Sequence, residues 1–261
     1  TPLLTKYKRE DIAYAIQYLL EKDITGILAK SLENIHSKNI AVAGGVFANI
    51  KLNRAIKDLG FKKIFIYPAM GDEGIGVGSA LSTLSKEFTI NPKEIKNVFY
   101  GEEFSNESIQ IELQKYNLKY EYIGDIEKAC AELISQGNIV ARFSGRSEFG
   151  PRALGNRSIL APADNTEIKE KMSQMLKRDD FMPFAPSTLY KYRNKCFKNI
   201  KGCELAARFM TISCDATDYL SESSPSVVHV DNSARPQLVD NESAPEFFHV
   251  LAHYHKITGI P

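Results

Sequence analysis

Near the start of the chain, two short apolar stretches flank one segment of helical length: NIAVAGG at 39–45, ANIKLNRAIKDL at 48–59 and KKIFIYP at 62–68. Runs such as IAVA and IFIY, bounded by glycine or proline, read as strands buried on both faces. A strand–helix–strand succession with short joints sets two such strands side by side in parallel. Another helix follows GDEGIGVGSAL (71–81), which continues a β-α-β-α rhythm and makes this part of the chain α/β. Upstream, Ile12, Ala15, Ile16, Leu19, Leu20, Ile24, Ile27 and Leu28 recur at helical spacing within 9–37, which predicts one long or two short amphipathic helices.

The rhythm stops at FTINPKEIKNVFYGEEFSNES (88–108), a polar segment that contains a proline and has no sustained period. A domain boundary is expected here, dividing the chain into 1–96 and 97–261. Beyond it, KYEYIGD (119–125), GNIVARFSG (137–145), RFMTISCD (208–215) and PSVVHVD (225–231) read as strands. Helices are expected over 126–136, over about 165–177 and in EFFHVLAHYHKI (246–257). The second part is therefore mixed α+β.

The formal net charge of +1 supplies no global field for collecting nucleic acid or an anionic membrane, so neither partner is expected and any anion site must be local. Cys130, Cys196, Cys203 and Cys214 lack C-x-x-C spacing, and no signal peptide or long apolar run is evident. Four buried thiols in a reduced cytoplasm are the expectation. The chain opens on Thr1 and closes on Gly259-Ile260-Pro261, which reads as a piece of a longer protein.

Three loop motifs bear chemistry. Gly44-Gly45, after the first strand and before Asn49 at a helix start, would let backbone N–H groups approach a phosphate, although a tight turn alone also needs glycine. Pro68-Ala69-Met70-Gly71-Asp72-Glu73-Gly74, after the second strand, offers Asp72 as a metal ligand or as a helix cap, with Gly74 beside it. GRSEFGPRALGNRSILA (145–161) concentrates Arg146, Arg152 and Arg157 among Gly145, Gly150 and Gly155. With Lys177, Arg178 and Arg235 these arginines could converge on a multiply charged oxyanion, because guanidinium forks match phosphate. Pairing with Glu148, Asp164, Asp179 and Asp180 on a solvated surface is the alternative, against which the glycines argue by implying a special backbone shape. His249, His253 and His255 lack an H-E-x-x-H acid and read as an incidental helix face. No G-x-S-x-G or Walker A sequence is present, so binding and electrostatics must carry any mechanism.

Taken in order, GGVFANIKLN, GDEGIGVGSAL, ARFSGRSEFGPRALGNRSILA, KRDDFMPFAP and VVHVDNSARPQ resemble the C-terminal part of NodU/CmcH-type O-carbamoyltransferases. The resemblance implies an actin-like, sugar-kinase-related (ASKHA) domain ending near residue 96, then a YrdC-like domain truncated at its C-terminus. It implies formation of a carbamoyl-adenylate from carbamoyl phosphate and ATP with Mg2+, and transfer of the carbamoyl group to a small hydroxylated acceptor. By position, Gly44, Gly45, Asn49 and Gly74 would face nucleotide, and Asp72 would bind a metal, with iron (Fe2+) implied. Arg152, Lys177 and Arg235 would contact carbamoyl phosphate or the adenylate phosphate, with Arg178 beside them and Arg146 and Arg157 either near them or structural. Met182 stands where related sequences carry another phosphate-binding arginine. A homodimer is implied for the full-length protein. A nucleotide- or RNA-binding module of a tRNA-modifying assembly and the hydrogenase-maturation carbamoyltransferase are the rival readings.

Overall fold

The computed structural model of the protein describes residues 4–91, 93–177 and 184–261. Its opening element is a single helix, α1 (Arg9–Leu32), with no break at Gly26. Leu20, Ile24, Leu28 and Leu32 lean on the core, whereas Tyr14, Ile16, Leu19 and Ile27 face outward, so the helix carries apolar side chains on two faces.

The expected βαβ unit is present. β1 (Asn39–Val42) runs parallel to β2 (Lys63–Ile66), with Ile40 opposite Ile64 and Val42 opposite Ile66. Between them lies α2 (Ile50–Asp58), whose Leu52, Asn53 and Ile56 are buried at the i, i+4 spacing of one helical face. Its start is fixed by Asn49, whose side chain accepts the Leu52 N–H. A short 3-10 turn, Gly45–Ala48, joins β1 to this cap. After β2 the chain turns into α3 (Glu73–Glu87).

The polar segment after α3 is irregular, yet Val98 is buried and Phe99 forms a bridge with Glu148. Next come α4 (Asn106–Lys115) and α5 (Ile126–Ser135), capped by Ser105 and Asp125. The strand expected over 119–125 does not form. Tyr116, Leu118, Tyr120 and Tyr122 all stay exposed, and without a neighbouring strand an alternating pattern has no ladder to join. β3 (Val140–Phe143) instead pairs antiparallel with β4 (Arg157–Leu160), so the arginine segment is the connection between two paired strands.

The remaining elements are α6 (Thr166–Met175), β5 (Ser187–Leu189), α7 (Arg193–Cys196), β6 (Phe197–Lys198), α8 (Glu204–Arg208), β7 (Cys214–Ala216), α9 (Asp218–Ser223), β8 (Ser233–Ala234), β9 (Gln237–Val239) and α10 (Pro245–Thr258). β5 and β9 are parallel, and β6-β7-β8 form an antiparallel sheet. Only the end of RFMTISCD is strand, because its first residue closes α8. PSVVHVD is not strand at all: Pro225 starts a 3-10 turn, Pro225–Val227, as a residue without an N–H can at a first helical position. Mixed α/β describes the whole.

The largest core joins residues from both sides of the polar segment, with Leu52, Ile56, Ile64 and Ile66 packed among Phe197 and Ile212. Each such side chain contributes about 1.5–3 kcal/mol on burial. Polar stitches reinforce this seam. Asn53, fully buried, donates to the carbonyls of Phe47 and Thr211 at 2.7 Å each, and Arg54 bridges to Asp215 at 3.0 Å. A second core packs Phe247, Val250 and Tyr254 of α10 on Cys130, Ala131 and Ile134 of α5. All four cysteines are free and buried, as expected, and burial pushes the Cys196 and Cys203 thiols up to about 11.

Candidate functional site

The connection from β3 to β4 is held in shape by its own side chains. One carboxylate oxygen of Glu148 accepts the backbone N–H groups of Leu154, Asn156 and Arg157 at 2.8, 2.8 and 3.1 Å. These N–H groups form a concavity that binds negative charge, and the chain fills it internally. Gly145, Gly150 and Gly155 all have positive φ, at 48, 120 and 116 degrees, so the glycines do mark a special backbone shape. A Cβ on Gly155 would stand 2.5 Å from the buried Phe247 ring, and one on Gly150 would stand 3.1 Å from the Pro68 carbonyl oxygen. Through Gly150 the loop thus abuts the PAMGDEG turn.

The three arginines of the segment have different surroundings. Arg157 donates to the carbonyls of Ser144, Gly145 and Asn156 at 2.8–3.0 Å and lies over the Phe143 ring at 3.6 Å. Its donors close the loop. Arg146 is exposed, 3.4 Å from Glu103. Arg152 is half-buried and makes no hydrogen bond or ion pair among the described residues, and its Nε is wholly shielded from solvent. Burial lowers its proton affinity, although a guanidinium stays charged at any physiological pH. An unpaired half-buried cation is costly, so it points to an anion that the free chain does not supply.

Arg152 lines a cavity of about 320 Å³. Arg235 and Lys169 line it too, and among the described lining residues the charged side chains are these three cations, with no carboxylate side chain. Apolar walls come from Met172 on α6 and from Phe247, Val250 and Leu251 on α10. This combination of an apolar enclosure and a few convergent polar groups is the usual form of a small-molecule site.

Two neighbours position the arginines. Gln237 accepts a 2.8 Å bond from the Ser187 hydroxyl and donates to the Leu154 carbonyl at 2.7 Å, tying the loop to β5 and β9. Asp231 braces the turn that carries Arg235. It accepts from Ser233 Oγ at 2.6 Å, lies 2.9 Å from His229 Nδ1, and bridges to Lys51 of α2 at 2.6 Å. Burial works against its charge, but the bonds from Lys51, Ser233 and His229 outweigh it and hold the carboxyl well below the usual range.

Lys177 follows α6, exposed and with a φ of 50 degrees, and is not among the cavity-lining residues. Arg178 and Met182 lie outside the described residues.

The other two motifs sit at the carboxyl ends of the adjacent parallel strands β1 and β2. Gly44 has a φ of 112 degrees where the chain leaves β1. Asn49 is engaged twice, by its cap on Leu52 and by a 2.7 Å bond to Gln17 of α1. Gly74 lies so close to the Ala69 carbonyl and the Tyr67 ring that a side chain would not fit, which gives that glycine a packing reason. Asp72 is exposed and makes no capping bond. No group of three or more His, Cys, Asp and Glu side chains gathers as a metal site among the described residues. Asp72 and Glu73 stand together at the start of α3 and would supply at most part of a metal's ligands. His255 pairs with Tyr192 at 2.7 Å.

Sequence reasoning missed Lys169, Ser226, Asp231 and Gln237, and it offered Glu148 only as a surface partner for the arginines, whereas Glu148 accepts backbone N–H groups. A carboxylate two residues after Arg146 and a serine after Pro225 carry no signal on their own, since their roles depend on how the chain folds around them.

No helix among the described residues is long and apolar enough to cross a membrane. Residues 131–261 match the family model for the carbamoyltransferase C-terminus, and residues 3–81 match that for the carbamoyltransferase N-terminus. The chain is 36% identical over 260 residues to an uncharacterized protein of Methanocaldococcus jannaschii, covering 96% of this chain and 42% of that protein. It is 31% identical over 260 residues to nodulation protein NolNO of Sinorhizobium fredii, covering 97% and 38%. Nodulation protein U of Azorhizobium caulinodans is 29% identical over 249 residues, covering 95% and 42%. The chain therefore spans less than half the length of these relatives. The C-terminal model takes in both the arginine loop and the cavity, and the chain belongs to the carbamoyltransferase family.

Proposed function

We propose that this chain is the part of an ATP-dependent O-carbamoyltransferase that binds carbamoyl phosphate and ATP in the 320 Å³ cavity. There water releases phosphate from the first to leave carbamate, and a carbamate oxygen then attacks the ATP α-phosphorus to form carbamoyl-adenylate and expel pyrophosphate. The observation that carries the reading is Arg152, a half-buried guanidinium without a partner among the described residues, in a cavity whose described charged side chains are all cationic. Phosphate chemistry fits such a site, because fixed cations in an apolar enclosure stabilise charge that spreads over several phosphoryl oxygens without having to reorganise.

Arg152 and Arg235 would grip the phosphate groups, each as a planar fork. Phe247, Val250 and Leu251 would keep water from the activated carbamoyl group, which hydrolysis would waste. With no carboxylate on the described walls, Mg2+ would be held by phosphate oxygens rather than by the protein. Transfer to a small hydroxylated acceptor would follow at the carboxyl ends of β1 and β2, where Gly44, Gly45 and Asp72 lie. In this reading 1–96 completes an actin-like domain and 97–261 is YrdC-like, the two parts sharing one core. Lys177, Arg178, Arg146 and Arg157 are not needed for the grip, which rests on Arg152 and Arg235.

The test is exchange of labelled pyrophosphate into ATP by the protein that carries this chain. Exchange that requires carbamoyl phosphate and is abolished by Arg152→Ala is expected. Exchange that is absent, or unchanged in the variant, would overturn the assignment.

A further inference from the structure

The third cation of the cavity is not one of those that the motifs single out. Lys169 lies on α6, is half-buried, lines the cavity and makes no ion pair among the described residues. Met172, one turn on, lines the same cavity, so this face of α6 forms one of its walls. The turn Pro225–Val227 packs against α6, and its Ser226 N–H donates to the Ala163 carbonyl just ahead of that helix at 3.1 Å. Ser226 is 4% exposed, lines the cavity, and has a buried hydroxyl oxygen with no hydrogen-bond partner among the described residues. A buried hydroxyl left unpaired costs free energy, and a serine here is stable at lowest cost if a ligand completes it.

An ammonium on a long aliphatic stem and a hydroxyl without a partner among the described residues, both on one wall with guanidinium forks elsewhere in the same space, suit an anion with more than one phosphoryl group. Lysine acts as a point charge toward phosphate, and a hydroxyl can donate to a phosphoryl oxygen that the lysine does not reach. We infer that Lys169 and Ser226 form a second phosphoryl subsite, so that the cavity takes a di- or triphosphate chain across its width: Arg152 and Arg235 hold one phosphoryl group, Lys169 and Ser226 another. The inference rests on the reading of the cavity as a phosphate site. It deepens that reading by assigning two further binding residues, Lys169 and Ser226, to the polyphosphate end of the site.

Calorimetric titration of the chain with inorganic pyrophosphate and, separately, with inorganic phosphate tests it. Lys169→Met should weaken pyrophosphate by about tenfold or more, the effect of losing a hydrogen bond to a charged group, and change phosphate by less than about twofold. Ser226→Ala should weaken pyrophosphate by about two- to tenfold, and Lys169→Arg should restore most of the affinity. Unligated melting temperatures of the variants show that they fold. If the unaltered chain binds neither anion, the phosphate-site reading falls and the subsite falls with it. If it binds pyrophosphate but Lys169→Met and Ser226→Ala bind equally well, the subsite alone is refuted. Equal weakening of phosphate and pyrophosphate by Lys169→Met would show only a general field from the lysine and would also overturn the subsite.

Discussion

Replacing Gly155 by alanine tests whether the arginine loop is built as described. Gly155 has a φ of 116 degrees, where an L side chain is strained, and the new Cβ would stand 2.5 Å from Cδ1 and 2.6 Å from Cγ of Phe247. That ring cannot swing away freely, because it is 2% exposed and packed between α10 and α5. Backbone strain of this kind costs about 1–3 kcal/mol, and forcing extra atoms into a filled core costs about another 1–3 kcal/mol. The expected loss of about 2–6 kcal/mol is a large part of the roughly 5–15 kcal/mol that keeps a domain folded. Equilibrium urea unfolding measures it. Gly124→Ala serves as the control, since a Cβ there meets nothing within 4 Å and φ is not positive, and it should stay within about 0.5 kcal/mol. A Gly155→Ala midpoint equal to that of the control would refute the argument from φ and Phe247. Because Phe247 also lines the cavity, the variant should bind anions more weakly wherever it still folds.

Glu148→Ala removes the acceptor of three backbone N–H groups and should cost about 1.5–3 kcal/mol for the charge-assisted bonds, read as a lower urea midpoint. Its loss should also weaken anion binding by loosening the loop that carries Arg152. Asp231 is held below the ordinary carboxylate range when folded, so it contributes stability that is present above its unfolded pKa of about 3.9 and is lost as pH falls toward the lower folded value. Asp231→Asn should therefore lower the melting temperature at pH 7, with the difference from the unaltered chain shrinking below about pH 4. A difference independent of pH would show that the Lys51, Ser233 and His229 contacts do not depend on its charge.

How far the sequence alone could reach varies along the chain, for physical reasons. β1, α2 and β2 are legible because unbroken apolar runs and the Leu52 to Ile56 spacing report burial directly. The positive φ of Gly150 and Gly155 is legible because glycine spacing reports backbone shape. Tyr120 and Tyr122 suggest a strand but have no partner strand, and local alternation cannot supply one. The split among arginines is illegible for a similar reason: Arg157 and Arg152 sit five residues apart in one motif, and only the fold shows that carbonyls occupy the first while none of the described residues pairs with the second. Lys169 looks like any charge on a solvated helix face until α10 and the 225–227 turn close a cavity over it.

The central claim is that Arg152, unpaired among the described residues, is the cation that receives an anion in the cavity. Calorimetric titration of carbamoyl phosphate into the 261-residue chain and into its Arg152→Ala variant tests it most directly. Binding by the first and at least about tenfold weaker binding by the second, at equal melting temperatures, is predicted from the loss of charge-assisted hydrogen bonds. Equal affinity in the two proteins, or no binding by either, would contradict it.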